Sequence, residues 1–183
     1  MRFKLILAVL SLCLWSVKPG DTTPVLEKVY EAEETNRIVL LDTVPLLGDE
    51  QILIQERCNE IGLDYRFVYA LIHSESRFKW VIGDGGLNHP SIGYFQISTI
   101  NQERMMDDFG FDIYDKVGNI ESGMQIIKEL YEQYKDGFNG YDAETCIVMC
   151  YKCGSSRGRE LMKEGFTLEV VETIKNMKSD FDF

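Results

Sequence analysis

The stretch from Asp64 to Ser76, Asp-Tyr-Arg-Phe-Val-Tyr-Ala-Leu-Ile-His-Ser-Glu-Ser, constrains the fold more than any other part of the chain. At about 100° per residue, Phe67, Val68, Leu71, Ile72 and Glu75 fall within one apolar arc of roughly 140°. Arg66, His73 and Arg77 fall on the other side. The pattern predicts an amphipathic helix, capped by Asp64, that packs into a core and carries a carboxylate at the end of its buried stripe. Burial favours the protonated form of such a group and raises its pKa. A carboxylic acid with a raised pKa suits general-acid chemistry. Two plainer readings stay open: a Glu paired with a buried Arg or Lys, or a helix that ends at that point.

Around this helix the apolar periodicity predicts a mainly α domain from residue 49 to 183, long enough for one core. Asp49 is the expected N-cap of a helix that runs through Ile61 and closes at Gly62. Residues 79 to 97 carry Gly83, Gly85, Gly86, Pro90 and Gly93, which predicts a loop or a small hairpin. Thr99 and Gln102 have the spacing that starts a short helix, and residues 107 to 118 read as loop. Ile120, Met124, Ile127, Tyr131 and Tyr134 recur at helical spacing behind Asn119 as the expected cap. Asp142 opens a helix that is apolar on most of its circumference through Cys153, so it belongs at the centre of the core. Gly154 to Gly158 is an expected turn, followed by helices near 159–164 and 167–178.

The N-terminus differs in character. Arg2 and Lys4 precede an apolar run from Leu5 to Val17, the layout of a secretory signal peptide. The run is shorter than the about 20 residues of a membrane span. No small-x-small cleavage motif stands out near Val17 to Gly20, so a short uncleaved anchor is the alternative to a signal peptide over residues 1–18. Residues 19–48, punctuated by Pro and Gly and rich in Glu, read as an acidic linker in which Arg37 to Leu41 forms an apolar patch able to pack on the domain. Loss of Arg2, Lys4 and Lys18 takes the net charge from −11 to −14. A domain that acidic does not bind nucleic acid by neutralising phosphates. A neutral sugar strand remains a suitable partner.

Four cysteines lie beyond the leader. Cys146, Cys150 and Cys153 share an arc of about 60° on one helix, where mutual disulfides rarely fit. Small buried side chains with one possible bridge to Cys58 are expected. A zinc site is the less favoured alternative, because its ligands usually come from loops.

Three segments carry a resemblance: Glu75-Ser76, Gly93-Tyr-Phe-Gln-Ile97 and Tyr151-Lys-Cys-Gly154. Their order and spacing resemble the lysozyme-like catalytic domain of the soluble lytic transglycosylases, relatives of goose-type lysozymes, which show E-S, G-L-M-Q-I and A-Y-N-x-G in the same order. Gln96 follows Glu75 by 21 positions and Tyr151 follows it by 76. Ser76-Arg-Phe78 is similar to the family's S-x-F, and the resemblance covers roughly residues 49 to 165.

The resemblance implies a lysozyme-like α+β domain with its Gly-rich loop or hairpin beside a sugar groove. It implies that Glu75 is the sole catalytic acid, and that Ser76, Gly93, Tyr94, Phe95, Gln96 and Tyr151 form the substrate-binding set. Gly93 would let backbone approach the ligand, and the Tyr151 hydroxyl would hold Glu75. From the residues alone, Tyr151 reads equally as a core aromatic bonded to a backbone carbonyl, and Tyr94 and Phe95 as sugar platforms or plain core. The implied substrate is peptidoglycan, cut between N-acetylmuramic acid and N-acetylglucosamine to a 1,6-anhydro product with no cofactor and no metal. The setting would be secreted or cell-envelope associated, with membrane contact only through an uncleaved N-terminal segment. Lys152 departs from the family's Asn, and its ammonium could contact substrate or the Glu75 region. The loop at 79–92 is also longer than in the family. A hydrolytic muramidase would add a second carboxylate, for which Asp84, Asp107 and Asp108 are candidates. A glycan-binding module of a secretion, conjugation or phage apparatus would keep the groove without catalysis.

Overall fold

The computed structural model describes residues 37–83 and 89–181. The expected leader and most of the acidic linker lie outside the described residues, as does Asp84. Among the described residues no helix is long and apolar enough to cross a membrane.

The compact unit begins at Ile38, eleven positions earlier than the expected boundary at 49. The cause is a pair of glutamines on the first helix, α1 (Gly48–Ile61). Gln55 accepts a hydrogen bond from the Val39 amide and donates one to the Val39 carbonyl. Gln51 accepts from Leu41 N–H and donates to the carbonyls of Leu41, Val44 and Leu46. These bonds satisfy the backbone of an irregular segment and let Leu41, Val44 and Leu46 enter the core. The start of α1 is also corrected. Leu47 occupies the cap position, the Glu50 carboxylate accepts from its N–H at 2.8 Å, and Asp49 lies inside the first turn. Gly62, left-handed at φ 79°, closes the helix as expected.

Helix α2 (Tyr65–Ser76) starts at Asp64, whose side chain accepts from Arg66 N–H. Phe67 through Ile72 are all buried. After α2 come three two-residue strands, β1 (Ile82–Gly83), β2 (Ser91–Ile92) and β3 (Ile97–Ser98), in an antiparallel sheet of that order. Ile82 pairs with Ile92, and Ile92 with Ile97. The small hairpin expected in this Gly-rich stretch is therefore present, with a third strand added.

A 3-10 turn (Thr99–Asn101) leads into α3 (Gln102–Phe109), and α4 runs over Lys116–Tyr134. The expected loop at 107–118 shrinks to residues 110–115. Gln102 fixes it by donating to Asp112 Oδ1 and accepting from Ile113 N–H. Asp115, not Asn119, caps α4, accepting from Gly118 N–H. Ile120, Met124, Ile127 and Tyr134 are buried as their spacing predicts. Gly123 lies under the Phe95 ring: a Cβ there would stand 2.2 Å from Phe95 Cγ. Gly123→Ala is expected to cost about 2 kcal/mol through overpacking, read as a lower urea midpoint at constant slope.

Helix α5 (Ala143–Cys153) is capped by Asp142, which accepts from Thr145 N–H. Thr145 through Cys150 are buried in an unbroken run, so this helix is central as expected. It packs against α4, and against α6 (Ser155–Lys163) and α7 (Glu169–Met177). The expected turn at 154–158 is one residue long. Gly154 at φ 79°, ψ 150° makes the whole corner, a conformation essentially restricted to glycine. A final 3-10 turn (Lys178–Phe181) packs on α2 and buries Phe181. Cys58, Cys146, Cys150 and Cys153 are free thiols, so the possible bridge to Cys58 is absent. Among the described residues no group of three or more His, Cys, Asp or Glu could hold a metal ion. The fold is mainly α with one small antiparallel sheet, a lysozyme-like arrangement.

Candidate active site

Glu75 stands in the last turn of α2. The helix stops because Arg77 and Phe78 both take left-handed backbone, at φ 54° and 58°. That reversal buries Phe78 edge-on against Tyr69 and Phe181. The hydrophobic anchor offsets the cost of two strained residues and fixes where the preceding carboxylate emerges.

Glu75 emerges into a cleft of about 710 Å³. One side is built from Gly83, Ser91, Gln96, Ile97 and Ser98 of the sheet region, another from Ile126, Glu129, Leu130 and Gln133 of α4. Cys150, Tyr151 and Lys152 at the end of α5 close it next to Glu75. The Glu75 side chain is only 13% exposed, and Lys152 Nζ lies 2.8 Å from its Oε1. Burial raises the Glu75 pKa above the ordinary carboxylate value, and the Lys152 charge and hydrogen bond oppose that rise without cancelling it. Both early readings of Glu75 are thus present together: a largely buried acid, and an acid paired with a lysine.

The other expected site residues divide. Gln96 and Tyr151 line the cleft. Tyr151 does not hold Glu75. Its hydroxyl donates to the Phe95 carbonyl at 2.7 Å, the plain alternative for this side chain, and burial together with the Glu75 charge pushes its pKa well up. Gln96 has φ 48° and donates to the carbonyls of Gly93 and Val81, so its amide braces the turn it stands in.

Ser76, Gly93, Tyr94 and Phe95 do not line the cleft. Ser76 is buried and its hydroxyl donates back to Ile72 O. Gly93, at φ 76°, is glycine because a Cβ would stand 2.5 Å from the Asn119 side chain; the close approach is to this asparagine rather than to a ligand. Tyr94 is buried against Trp80, donates to Glu50 Oε1 and lies beneath Lys116. Phe95 is fully buried over Gly123. Both rings are turned into the interior, Tyr94 toward Glu50 of α1 and Lys116 of α4 and Phe95 over Gly123 of α4, so neither is presented to the cleft as a sugar platform.

Three residues that the sequence did not assign to the site hold or furnish it. Asn119 is fully buried inside α4; it donates to Ile92 O and Ile113 O and accepts from Phe95 N–H. Arg104 and Glu129 line the cleft and pair at 2.9 Å, with Gln125 donating to the same carboxylate. No local pattern joins positions 25 apart; only helical spacing, Gln125 to Glu129, was available. Asp107 and Asp108, the expected second carboxylates, are exposed and lie outside the cleft.

The chain belongs to the transglycosylase SLT domain family, whose model matches residues 52–169. No curated protein and no solved structure matches it significantly. Membership brings the general activity of that family, cleavage of glycosidic bonds in peptidoglycan, and sets its substrate in the cell envelope.

Proposed function

We propose that this protein is a lytic transglycosylase that cuts the β-1,4 bond between N-acetylmuramic acid and N-acetylglucosamine with Glu75 as its single acid and base. The observation that supports this reading most is Glu75 itself, a largely buried carboxyl with a raised pKa that borders the cleft. Most glycosidases use two carboxylates. Here the remaining acid lining the described cleft, Glu129, is engaged by Arg104. In the proposed sequence Glu75 gives its proton to the glycosidic oxygen as the bond to C1 breaks. The substrate's own N-acetyl carbonyl stabilises the positive charge at C1. Glu75, now a carboxylate, takes the proton of the muramoyl C6 hydroxyl as that oxygen bonds to C1. Intramolecular closure gives the 1,6-anhydro product and avoids the entropic cost of recruiting a second reactant. In this reading Gln96 and Tyr151 border the sugar path.

Mass spectrometry of muropeptides released from purified peptidoglycan tests the proposal. Products one water lighter than their hydrolytic counterparts are expected. Hydrated muramoyl ends would replace it with a muramidase reading, and no release would favour a glycan-binding module.

A further inference from the structure

Two features of the site do not fit a carboxyl held by a tyrosine. The Tyr151 hydroxyl is spent on the Phe95 carbonyl. Among the described residues, Lys152 is the polar partner of the Glu75 carboxylate. The lysine stands where the resembling family carries asparagine, a side chain without charge. Resting on the transglycosylase reading above, we propose that Lys152 is the residue that orients Glu75 and sets the pH range over which it acts.

The geometry supports both halves of this role. Lys152 Nζ and Glu75 Oε1 are 2.8 Å apart, and the two side chains are only 21% and 13% exposed. A charge pair so far out of solvent is weakly screened, so its attraction is stronger than that of a surface pair. Lys152 also occupies the last turn of α5, where the helix dipole favours a cation. The one-residue corner at Gly154 joins that turn directly to α6. One Glu75 oxygen is tethered in this way, and the carboxyl is aimed without help from Tyr151.

Other groups around Glu75 do not duplicate this effect. Tyr151 and Cys150 reach the cleft from α5. The Arg104 and Glu129 charges, from α3 and α4, offset one another as a pair. From the sheet region come neutral side chains, Ser91, Gln96, Ile97 and Ser98. On α2 itself, His73 packs edge-on against Phe78. Among the described residues, Lys152 is therefore the unbalanced cation beside Glu75.

The direction follows from the charges. A general acid works while protonated, so activity falls as pH rises through its pKa. Lys152 stabilises the ionised form and pulls that falling limb to lower pH. Its removal leaves burial alone, and the limb moves up.

The test measures two quantities in wild type, Lys152→Met, Lys152→Asn and Lys152→Arg, each first shown folded by its circular dichroism. One is the titration of the Glu75 side-chain carboxyl by carbon NMR, its signal assigned by loss in Glu75→Gln. The other is the pH profile of kcat on purified peptidoglycan. Lys152→Met and Lys152→Asn are expected to raise the Glu75 pKa by about one unit. Their activity relative to wild type then climbs about tenfold across the falling limb, and their low-pH plateau drops severalfold with KM unchanged. Lys152→Arg is expected to restore the wild-type titration. An unmoved Glu75 titration in both neutral variants overturns the inference, whatever the activity. A moved titration in a protein whose wild type releases no muropeptide keeps Lys152 in its role and removes the transglycosylase reading instead. The asparagine variant keeps the test decisive if methionine disturbs folding.

Discussion

Glu75→Gln is expected to lower muropeptide release about a thousandfold, the scale of a lost general acid, while the thermal unfolding curve stays close to wild type. Glutamine keeps the shape of glutamate and its carbonyl oxygen can still accept from Lys152, so the contact at 2.8 Å has a replacement. What disappears is the transferable proton. Both proposed proton movements, to the leaving oxygen and from the C6 hydroxyl, pass through this carboxyl, so one substitution removes both. The measurement is the initial rate of soluble fragment release from purified peptidoglycan, with unfolding followed in parallel. Equal rates for the two proteins would take Glu75 out of the mechanism.

The second large effect is structural. Asn119→Ala is expected to destabilise the domain by about 3 kcal/mol, with a fall in Tm on the order of 10 °C. Asn119 is fully buried and bonds the carbonyls of Ile92 and Ile113 and the amide of Phe95. Alanine would remove a partner from each of these three main-chain groups in a dry interior. Asp115→Ala provides the contrast, because it removes only a helix cap, worth about 1 kcal/mol. Urea unfolding of the two variants distinguishes the roles. If Asn119→Ala costs no more than Asp115→Ala, the buried bracket described here is wrong.

That contrast also shows what could be read from the chain. Asp64, Asp142 and Gly62 act where the sequence places them because a cap is satisfied within three or four residues. The buried run of α5 was legible for the same reason, since six successive enclosed positions need only composition and length. Asn119 has the residue type of a cap and the position of a bracket. Its partners lie up to 27 positions away, and nothing local announces them. Tyr94 and Phe95 failed as sugar platforms for a related reason. The motif shows two aromatics, but Glu50, Lys116 and Gly123 decide which way they turn. Glu75 was visible from its helix alone, and the departure at Lys152 drew attention to the residue that contacts it. The Arg104–Glu129 pair was not visible, because α3 and α4 meet only in three dimensions. The start of the domain was misplaced by its glutamines, polar residues whose amides serve backbone rather than solvent.

The bond from the Tyr151 hydroxyl to the Phe95 carbonyl has a mechanical consequence. It rivets the end of α5 to the segment that Asn119 already clamps to α4, so the jaws on either side of Glu75 are fastened before any saccharide arrives. Walls joined in this way leave less freedom for the protein to lose on binding, which lowers the ordering cost on its side of the contact.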